Sequence, residues 1–245
     1  ATSQETVWLF GLHAVKDAIT NPAREKIQLV VTRNAAAKLA DAIAQSDIEP
    51  QICEPRNFSA PLDPGSVHQG AAIEVKMLNW GTLADHALTS GTGPPTLVLL
   101  DQVTDPHNVG AILRSAEVFG ASAVIGTQRH SAPETGSLAK SASGSLERQP
   151  YLRLRNLAQT ILELQKMGYI VLGLDGTAKE SIEQAMEGHF DKPTALVFGA
   201  EGPGLRQRTK ETVNKLVRID AAGEFGSLNV SNAAAVALYA ARSGR

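Results

Sequence analysis

Thr96-Leu-Val-Leu-Leu100 and, a few residues later, Asp105-Pro-His-Asn-Val-Gly-Ala-Ile-Leu-Arg114 are the stretch that decides the fold of this chain. The first run is apolar throughout and predicts a buried strand, and the second predicts a helix. An apolar run also precedes each of two later polar segments, Phe198-Gly-Ala-Glu-Gly-Pro-Gly-Leu-Arg206 and Ser227-Leu-Asn-Val-Ser-Asn-Ala233. Because polar loops at strand ends meet at one edge of an α/β sheet, the three segments predict one shared site.

The second half of the chain alternates apolar strands with helices. Strands are predicted at 96–100, 123–125, 169–174, 195–198 and 216–219. Helices are predicted at 108–119, 157–167 and 232–242, the first of them ending at a C-cap, Gly120. Nearly continuous apolar strands between helices predict a parallel sheet that is covered on both faces.

The first part of the chain predicts a smaller α/β module. Its expected elements are a helix at 12–19, a strand at 27–31, a helix at 34–45 capped by Asn34, and strands at 51–53 and 71–75. The segment Ser90-Gly-Thr-Gly-Pro-Pro95 is typical of a linker, because flexible residues precede two prolines. We therefore predict an N-terminal domain at 1–77, a linker at 78–95 and a second domain at 96–245.

The composition excludes several classes of protein. The chain has 245 residues, is 43% hydrophobic and 20% charged, and carries a net charge of −2, as expected of a globular protein. That charge argues against a protein coated in basic residues, although local clusters such as Arg206, Arg208 and Lys210 leave room for a basic face. We expect no membrane span and no signal peptide. The single cysteine, Cys53, and the absence of metal-ligand spacing predict a cytoplasmic protein without disulfides or metal.

The first polar segment offers Asn108 and Arg114 as candidate site residues. Asn108 stands where a helix N-cap belongs, and capping alone would explain it. Arg114 lies nearly opposite the apolar stripe of its helix and leans back over Gly110, where no side chain blocks a ligand. It could grip a phosphate or a developing oxyanion, or it could be an exposed arginine paired weakly with Glu117.

The second and third segments add an acid, an amide and a hydroxyl. Glu201 stands among Gly199, Gly202 and Gly204, in a loop that matches neither a Walker motif nor a dinucleotide fingerprint. An acid there repels phosphate, which favours a hydroxyl, an amine or a cation as its ligand. In the third segment Ser231 or Asn232 is explained as a cap, whereas Ser227 and Asn229 are not both explained that way.

These residue types also suggest a second enzyme class, a Ser-His-Asp hydrolase. The sequence lacks a G-x-S-x-G elbow, and no motif ties a histidine to a serine. His107 and His68 are ambiguous from spacing alone. The hydrolase alternative is therefore disfavoured.

Taken together and in this order, the three segments resemble the three motifs of the SpoU/TrmH family of RNA ribose 2′-O-methyltransferases, in the SPOUT superfamily. The matching residues are Asn108-Val-Gly-Ala-Ile-Leu-Arg114, Gly199-Ala-Glu-Gly202 and Ser227-Leu-Asn-Val-Ser231, and Gly173-Leu-Asp-Gly176 also fits. Phe10-Gly-Leu-His-Ala-Val15 and His68-Gln-Gly70 resemble the N-terminal substrate-binding domain, similar to ribosomal protein L30e, of the subgroup that modifies guanosine in 23S rRNA.

The resemblance implies a fold and a site. The fold is an α/β SPOUT domain with a parallel sheet and a deep trefoil knot, a rare exception to the rule against knots, and it dimerises through the knot region. S-adenosylmethionine is the implied cofactor, and no metal is required. The cofactor-binding residues that the family's motifs imply are Gly199, Glu201, Gly202, Ile219, Leu228 and Asn229. The implied catalytic or ribose-handling residues are Arg114, Asn108, Glu201, Ser227 and Asn229.

The resemblance therefore predicts an S-adenosylmethionine-dependent enzyme that methylates a ribose 2′-hydroxyl, that of a guanosine in large-subunit rRNA. One alternative within the family is a tRNA ribose 2′-O-methyltransferase. The L30e-like domain disfavours it, because the simplest tRNA enzymes carry short terminal extensions instead. Another alternative is a non-catalytic rRNA-binding assembly factor, against which the presence of Arg114, Glu201 and Asn229 argues.

Overall fold

A computed structural model describes residues 6–88, 93–223 and 228–243 of the chain. Contacts divide the chain into two compact units. The small unit combines residues 1–79 with 133–148, and the large unit combines 80–132 with 149–245. The chain first passes from the small unit to the large unit between residues 79 and 80, close to the start of the predicted linker at 78. Residues 133–148, which the sequence-based division assigned to the second domain, group by contacts with the small unit.

The secondary structure alternates along both units. The strands, in chain order, are β1 Thr6–Phe10, β2 Lys26–Thr32, β3 Pro50–Cys53, β4 Ala71–Lys76, β5 Thr96–Asp101, β6 Ala123–Thr127, β7 Tyr151–Leu154, β8 Ile170–Leu174, β9 Glu180–Ser181, β10 Thr194–Gly199 and β11 Lys215–Arg218. The α-helices are α1 Leu12–Thr20, α2 Arg33–Lys38, α3 Ala40–Ala44, α4 Leu83–Ala87, α5 Pro106–Phe119, α6 Gly136–Ala142, α7 Leu157–Lys166, α8 Ile182–Met186, α9 Gln207–Thr212 and α10 Val230–Ser243. Two 3-10 turns lie at Pro55–Asn57 and Ser145–Glu147.

The small unit is built on a four-stranded sheet in the order β1-β4-β2-β3. Strand β4 runs antiparallel to β1 and β2, whereas β3 runs parallel to β2. The apolar run Leu29, Val30 and Val31 of β2 is fully buried, which is why it forms a central strand. The predicted α/β class of this part of the chain is confirmed, although β1 was not predicted.

The predicted helix at 34–45 is wrong in its start and its continuity. Strand β2 ends at Thr32 and α2 begins at the next residue, so Thr32 rather than Asn34 is the N-cap; its hydroxyl accepts a hydrogen bond from the Ala35 amide at 3.3 Å. The helical stretch is divided at Leu39 into α2 and α3. Alanine-rich periodicity does not reveal such a break, because it favours helix on both sides of it.

A buried ion cluster joins the two chain segments of the small unit. The Arg24 side chain is fully buried and donates to Glu134 at 2.9 Å and to Glu147 at 2.6 Å. Burial alone would lower the pKa of Arg24, but hydrogen bonds and charge from Glu147 and Glu134 outweigh it and raise that pKa. Helix α6 packs against β1, and a Cβ at Gly136 would lie 2.3 Å from the Phe10 ring. These contacts explain why residues 133–148 belong to this unit.

The large unit is built on a seven-stranded sheet in the order β7-β6-β5-β10-β8-β11-β9. Every neighbouring pair is parallel. Leu97 and Leu99 pack with α7 residues in one core cluster, whereas Val98 and Leu100 alternate with them and are also fully buried. Because successive strand residues point to opposite faces, the sheet is covered on both. The predicted parallel α/β sheet is confirmed.

Helix α4 lies within the segment that the sequence predicted as a linker. Thr82 and Asp85 form a capping box at its start, and Leu83 and Ala87 join the core cluster of the large unit. Part of the Gly/Pro-rich segment, 89–92, lies outside the described residues. In the part of the chain that the structure describes, no helix is long and apolar enough to cross a membrane.

Candidate active site

The three polar segments meet at the carboxyl edge of the large sheet. Strands β5 and β10 are neighbours in register, with Gly199 opposite Asp101, so the loops that follow them emerge side by side. Helix α10, which carries the third segment, packs against α5 and β10. The predicted convergence of the three segments is confirmed for the residues that the structure describes.

Asn108, Glu201 and Asn229 form one hydrogen-bonded cluster. The Asn108 side-chain amide donates to Glu201 Oε1 at 3.1 Å, and the Asn229 amide donates to the same oxygen at 2.5 Å. Asn229 Nδ2 also approaches Asn108 Oδ1 at 3.0 Å. Each residue comes from a different segment, so two amides hold one carboxylate oxygen in place. Glu201 Oε2 has no hydrogen-bond partner among the described residues.

The N-cap role considered for Asn108 is wrong. Helix α5 begins at Pro106, and its cap is Asp105, whose carboxylate accepts from the His107 amide at 2.9 Å. A short acidic side chain followed by proline at the first helical position is a favourable helix start. Asn108 therefore lies inside the first turn, 8% exposed, and its side chain is free to bind Glu201. The predicted C-cap Gly120 is confirmed, with a φ of 73°.

The two ends of the Asn229 side-chain amide bind different partners, one at the start of α10 and the other in the cluster. Its Oδ1 accepts from the Ser231 amide at 2.9 Å and the Ser231 hydroxyl at 2.5 Å, at the start of α10. Its Nδ2 binds Glu201 and Asn108. The helix start thus fixes the orientation in which the amide meets the carboxylate. Ser227, which the sequence also predicted for the site, lies outside the described residues.

Arg114 is not part of this cluster. It is exposed on α5, on the side away from the buried residues Val109, Ile112 and Leu113, as its position in the helix predicted. The weak pair with Glu117 is not formed, and no other described residue binds the Arg114 side chain. Its guanidinium is therefore available to a ligand.

The glycine loop after β10 forms one wall of a cavity of about 540 Å³. Gly202 and Gly204 have φ values of 83° and 69°, which favour glycine, and Ala200 bridges to Gly204. The cavity's lining includes these members of the predicted cofactor site: Gly199, Glu201, Gly202, Ile219 and Leu228. Asn229, the remaining member, does not line it but borders it through Glu201.

We expect Gly199→Ala to lower the free energy of unfolding by about 1–3 kcal/mol. A Cβ at this position would lie 2.1 Å from the Gly204 carbonyl carbon and 2.3 Å from the Leu205 nitrogen, so backbone must move. Gly176→Ala is the matched control, because Gly176 lines the same cavity and a Cβ there meets nothing within 4 Å. Chemical denaturation of both variants measures the effect, and equal losses would contradict the steric explanation.

Asp175 lines the same cavity, and the sequence analysis did not include it among the site residues. Lys210 Nζ lies 2.6 Å from its carboxylate, and Thr177 donates to it through its amide and its hydroxyl. Burial of Asp175 opposes ionisation, but the bonds from Lys210 and Thr177 outweigh it and lower the pKa of Asp175 to about 2. An acid directly after the apolar strand β8 is the sequence signal that could have identified it.

The described residues include no group of three or more His, Cys, Asp or Glu side chains that could hold a metal ion. The cavity is lined by glycine backbone, by apolar side chains, by the carboxylates of Asp175 and Glu201, and by the polar side chains of Thr177, Lys210 and Arg218.

A parallel α/β sheet with a glycine-walled cavity at its carboxyl edge is the architecture of a nucleotide-binding or cofactor-binding enzyme. Comparisons with known proteins identify the family. The profile of the SpoU rRNA Methylase family matches residues 95–239, and that of the RNA 2′-O ribose methyltransferase substrate-binding domain matches 8–81. The chain belongs to the SpoU rRNA methylase family.

Two relatives and one solved structure illustrate the similarity. The 23S rRNA (guanosine-2′-O-)-methyltransferase RlmB of Ralstonia nicotianae is 45% identical over 71% of this chain and 69% of its own. The protein of the same name in Vibrio vulnificus is 42% identical over 96% of this chain and 95% of its own. The SpoU methyltransferase AviRb from Streptomyces viridochromogenes, in complex with AdoMet, has a TM-score of 0.82 at 22% identity, over 98% of this chain and 90% of its own. The last likeness shows the fold alone.

Proposed function

We propose that the protein transfers a methyl group from S-adenosylmethionine to the ribose 2′-hydroxyl of a guanosine in 23S rRNA. The observation that carries the proposal is the cluster of Asn108, Glu201 and Asn229 beside the glycine-walled cavity. The family membership and the names of the relatives that align with 95% or more of this chain supply the reaction and the RNA.

The cavity fits S-adenosylmethionine in size and in chemistry. About 540 Å³ is within the range of small-molecule sites, and an exposed glycine backbone supplies amide donors and carbonyl acceptors. Leu228 and Ile219 offer apolar contact, and the carboxylate of Glu201 suits a ligand with hydroxyl groups. The residues that would hold the cofactor are Gly199, Glu201, Gly202, Ile219, Leu228 and Asn229. When bound, it supplies an electrophilic methyl group on a sulfonium.

Arg114 would stabilise the ribose oxygen as negative charge develops on it. An arginine stays protonated in proteins, so a hydrogen bond to the developing oxyanion suits it better than removal of a proton. Its guanidinium has no partner among the described residues, which keeps its donors free for the substrate.

The two asparagines would act through Glu201. Because both amides occupy Oε1, the other oxygen of the carboxylate faces no competitor in the described structure and can accept from a hydroxyl of substrate or cofactor. Ser227 completes the proposed catalytic set on the basis of the family resemblance. Holding the reacting groups in place supplies much of the rate in a displacement of this kind.

We also propose the domain division, the knot and the homodimer that the family resemblance implies. Residues 1–77 would form an L30e-like domain that binds rRNA, 78–95 a linker, and 96–245 a SPOUT domain with a deep trefoil knot. A homodimer through the knot region would cover α5 and α10, where Val118, Val236 and Tyr239 are 68%, 40% and 62% exposed. Exposed apolar side chains on adjacent helices support such an interface. A reducing, cytoplasmic setting agrees with the lone Cys53.

The proposal is tested with purified protein, isotope-labelled S-adenosylmethionine and unmodified 23S rRNA transcript. Nuclease digestion and mass spectrometry should reveal one labelled 2′-O-methylguanosine for each 23S rRNA. Transcribed tRNA and 16S rRNA serve as controls and should remain unlabelled. Labelling of tRNA instead would favour the tRNA enzyme. Binding to 23S rRNA without cofactor binding in calorimetry would favour a non-catalytic assembly factor.

A further inference from the structure

A second cleft, distinct from the glycine-walled cavity, opens at the same carboxyl edge of the large sheet. Its volume is about 610 Å³. Three chain segments line it: the residues after β6, the turn between β7 and α7, and the start of α9. Its lining includes these basic residues: Arg129, His130, Arg155, Arg206 and Arg208. None of the described residues that line it is acidic, in a chain whose net charge is −2.

Three of the four arginines have no counterion among the described residues. The guanidinium groups of Arg129, Arg155 and Arg208 are exposed and make no ion pair or hydrogen bond with any described residue. Arg206 differs, because its Nε and backbone amide bind the buried carboxylate of Asp101 at 2.6 and 3.0 Å. Asp101 is fully buried at the end of β5, so this pair anchors one wall of the cleft and neutralises only one of its charges.

Thr127 places an unsatisfied hydroxyl beside the cleft. Thr127 is 6% exposed and lines the cleft, and its hydroxyl has no hydrogen-bond partner among the described residues. Buried hydroxyls normally have a partner, because leaving one unsatisfied costs about 1–3 kcal/mol. The oxygen is shielded from solvent, so a ligand in the cleft reaches it only if the lining shifts.

The glycine loop after β10 connects the cleft to the glycine-walled cavity. Gly204 and Leu205 line the cavity, and the next residue, Arg206, lines the cleft. An extended ligand bound in the cleft would therefore continue towards the cluster of Glu201 and Asn229. The spread of three unpaired arginines over three segments suits several negative groups in a row rather than a single ion.

We propose that this basic cleft binds the phosphate groups of the substrate RNA next to the nucleotide that is methylated. The inference rests on the proposed function and names the surface by which a chain of net negative charge holds its RNA. Arginine matches phosphate through its planar fork of donors, and such contacts give affinity without reading sequence. The cleft therefore positions the strand, while specificity arises elsewhere.

The test compares two double variants that each lose two positive charges. Arg155→Gln/Arg208→Gln changes two different segments of the lining, the turn between β7 and α7 and the start of α9. Lys166→Gln/Lys192→Gln is the control, because both lysines are exposed and precede β8 and β10 at the amino edge of the sheet. Affinity for unmodified 23S rRNA transcript is measured at several KCl concentrations, together with S-adenosylmethionine affinity by calorimetry and the kcat and KM for RNA.

The cleft variant should bind RNA about tenfold more weakly or worse, as expected when charge-assisted hydrogen bonds are lost. The dependence of log affinity on log salt should become shallower by about 0.7 for each phosphate contact removed. The KM for RNA should rise, with kcat and cofactor affinity nearly unchanged. The control should match the unmodified protein in all five quantities.

RNA affinity and salt dependence equal in the two double variants would overturn the proposal, even if the protein methylates 23S rRNA normally. If no RNA is methylated but the cleft variant alone loses RNA affinity, the cleft assignment stands and the proposed reaction fails. Titration with ATP tests a small-molecule occupant. Saturable ATP binding that only the cleft variant loses, with RNA affinity intact, would also overturn the proposal.

Discussion

Arg114→Ala is expected to lower kcat for 2′-O-methylation by about 10²–10³-fold or more, the usual cost of removing a donor that stabilises a developing oxyanion. Cofactor affinity should be nearly unchanged, because Arg114 does not line the glycine-walled cavity. Folding should be unaffected as well, since the side chain is exposed and bound to no described residue. Methyl-transfer kinetics and calorimetry with S-adenosylmethionine measure the two quantities separately.

Two further variants make the Arg114 result specific. Arg114→Lys keeps the charge but loses the planar fork, so partial activity is expected. Lys166→Ala removes an exposed cation from α7 of the same unit and should leave kcat intact. Activity of Arg114→Ala within tenfold of the unmodified protein would contradict a catalytic role for this arginine.

Arg24→Met is expected to lower the stability of the small unit by about 3–5 kcal/mol, because it leaves Glu134 and Glu147 buried without their cation. The methionine fills much of the same volume, so the loss reports the removed cation rather than a cavity. Hydrogen exchange of amides in β1, β2 and β4 measures it, since exchange of central strands reports the opening of a whole cooperative unit.

The matched variants separate charge from packing. The triple variant Arg24→Met/Glu134→Gln/Glu147→Gln removes every charge of the cluster and should recover part of the loss. Lys76→Gln breaks the partly exposed pair between Lys76 and Glu25, at 2.5 Å in the same unit, and should cost no more than about 1 kcal/mol. Equal losses of stability for Arg24→Met and Lys76→Gln would show that the buried cluster stabilises the small unit no more than the Lys76–Glu25 pair does.

Local patterns were sufficient to predict the sheet of the large unit and the meeting of its three polar loops. Strands such as β5 and β10 are apolar throughout because both faces are covered, and that pattern is visible without any partner. Parallel strands direct their carboxyl ends to one edge, so Asn108 and Glu201 could be expected to meet. The family resemblance, rather than the pattern, supplied the cofactor and the reaction.

Long-range contacts were not predictable in the same way. Arg24 and Glu147 are separated by more than a hundred residues, and nothing near either one indicates that they pair. For the same reason the grouping of residues 133–148 with the small unit was missed. The cap of α5 was misplaced because Asp105 and Asn108 are both good caps, and only the structure distinguishes the residue that caps from the one that binds Glu201.

The most direct test of the account is a map of 2′-O-methylation in the RNA of cells that lack this protein. We expect one guanosine of 23S rRNA to lose its ribose methyl group, the unmodified protein to restore it, and Arg114→Ala produced at the same level not to restore it. An unchanged 23S rRNA map, or a methyl group lost from tRNA instead, would contradict this expectation.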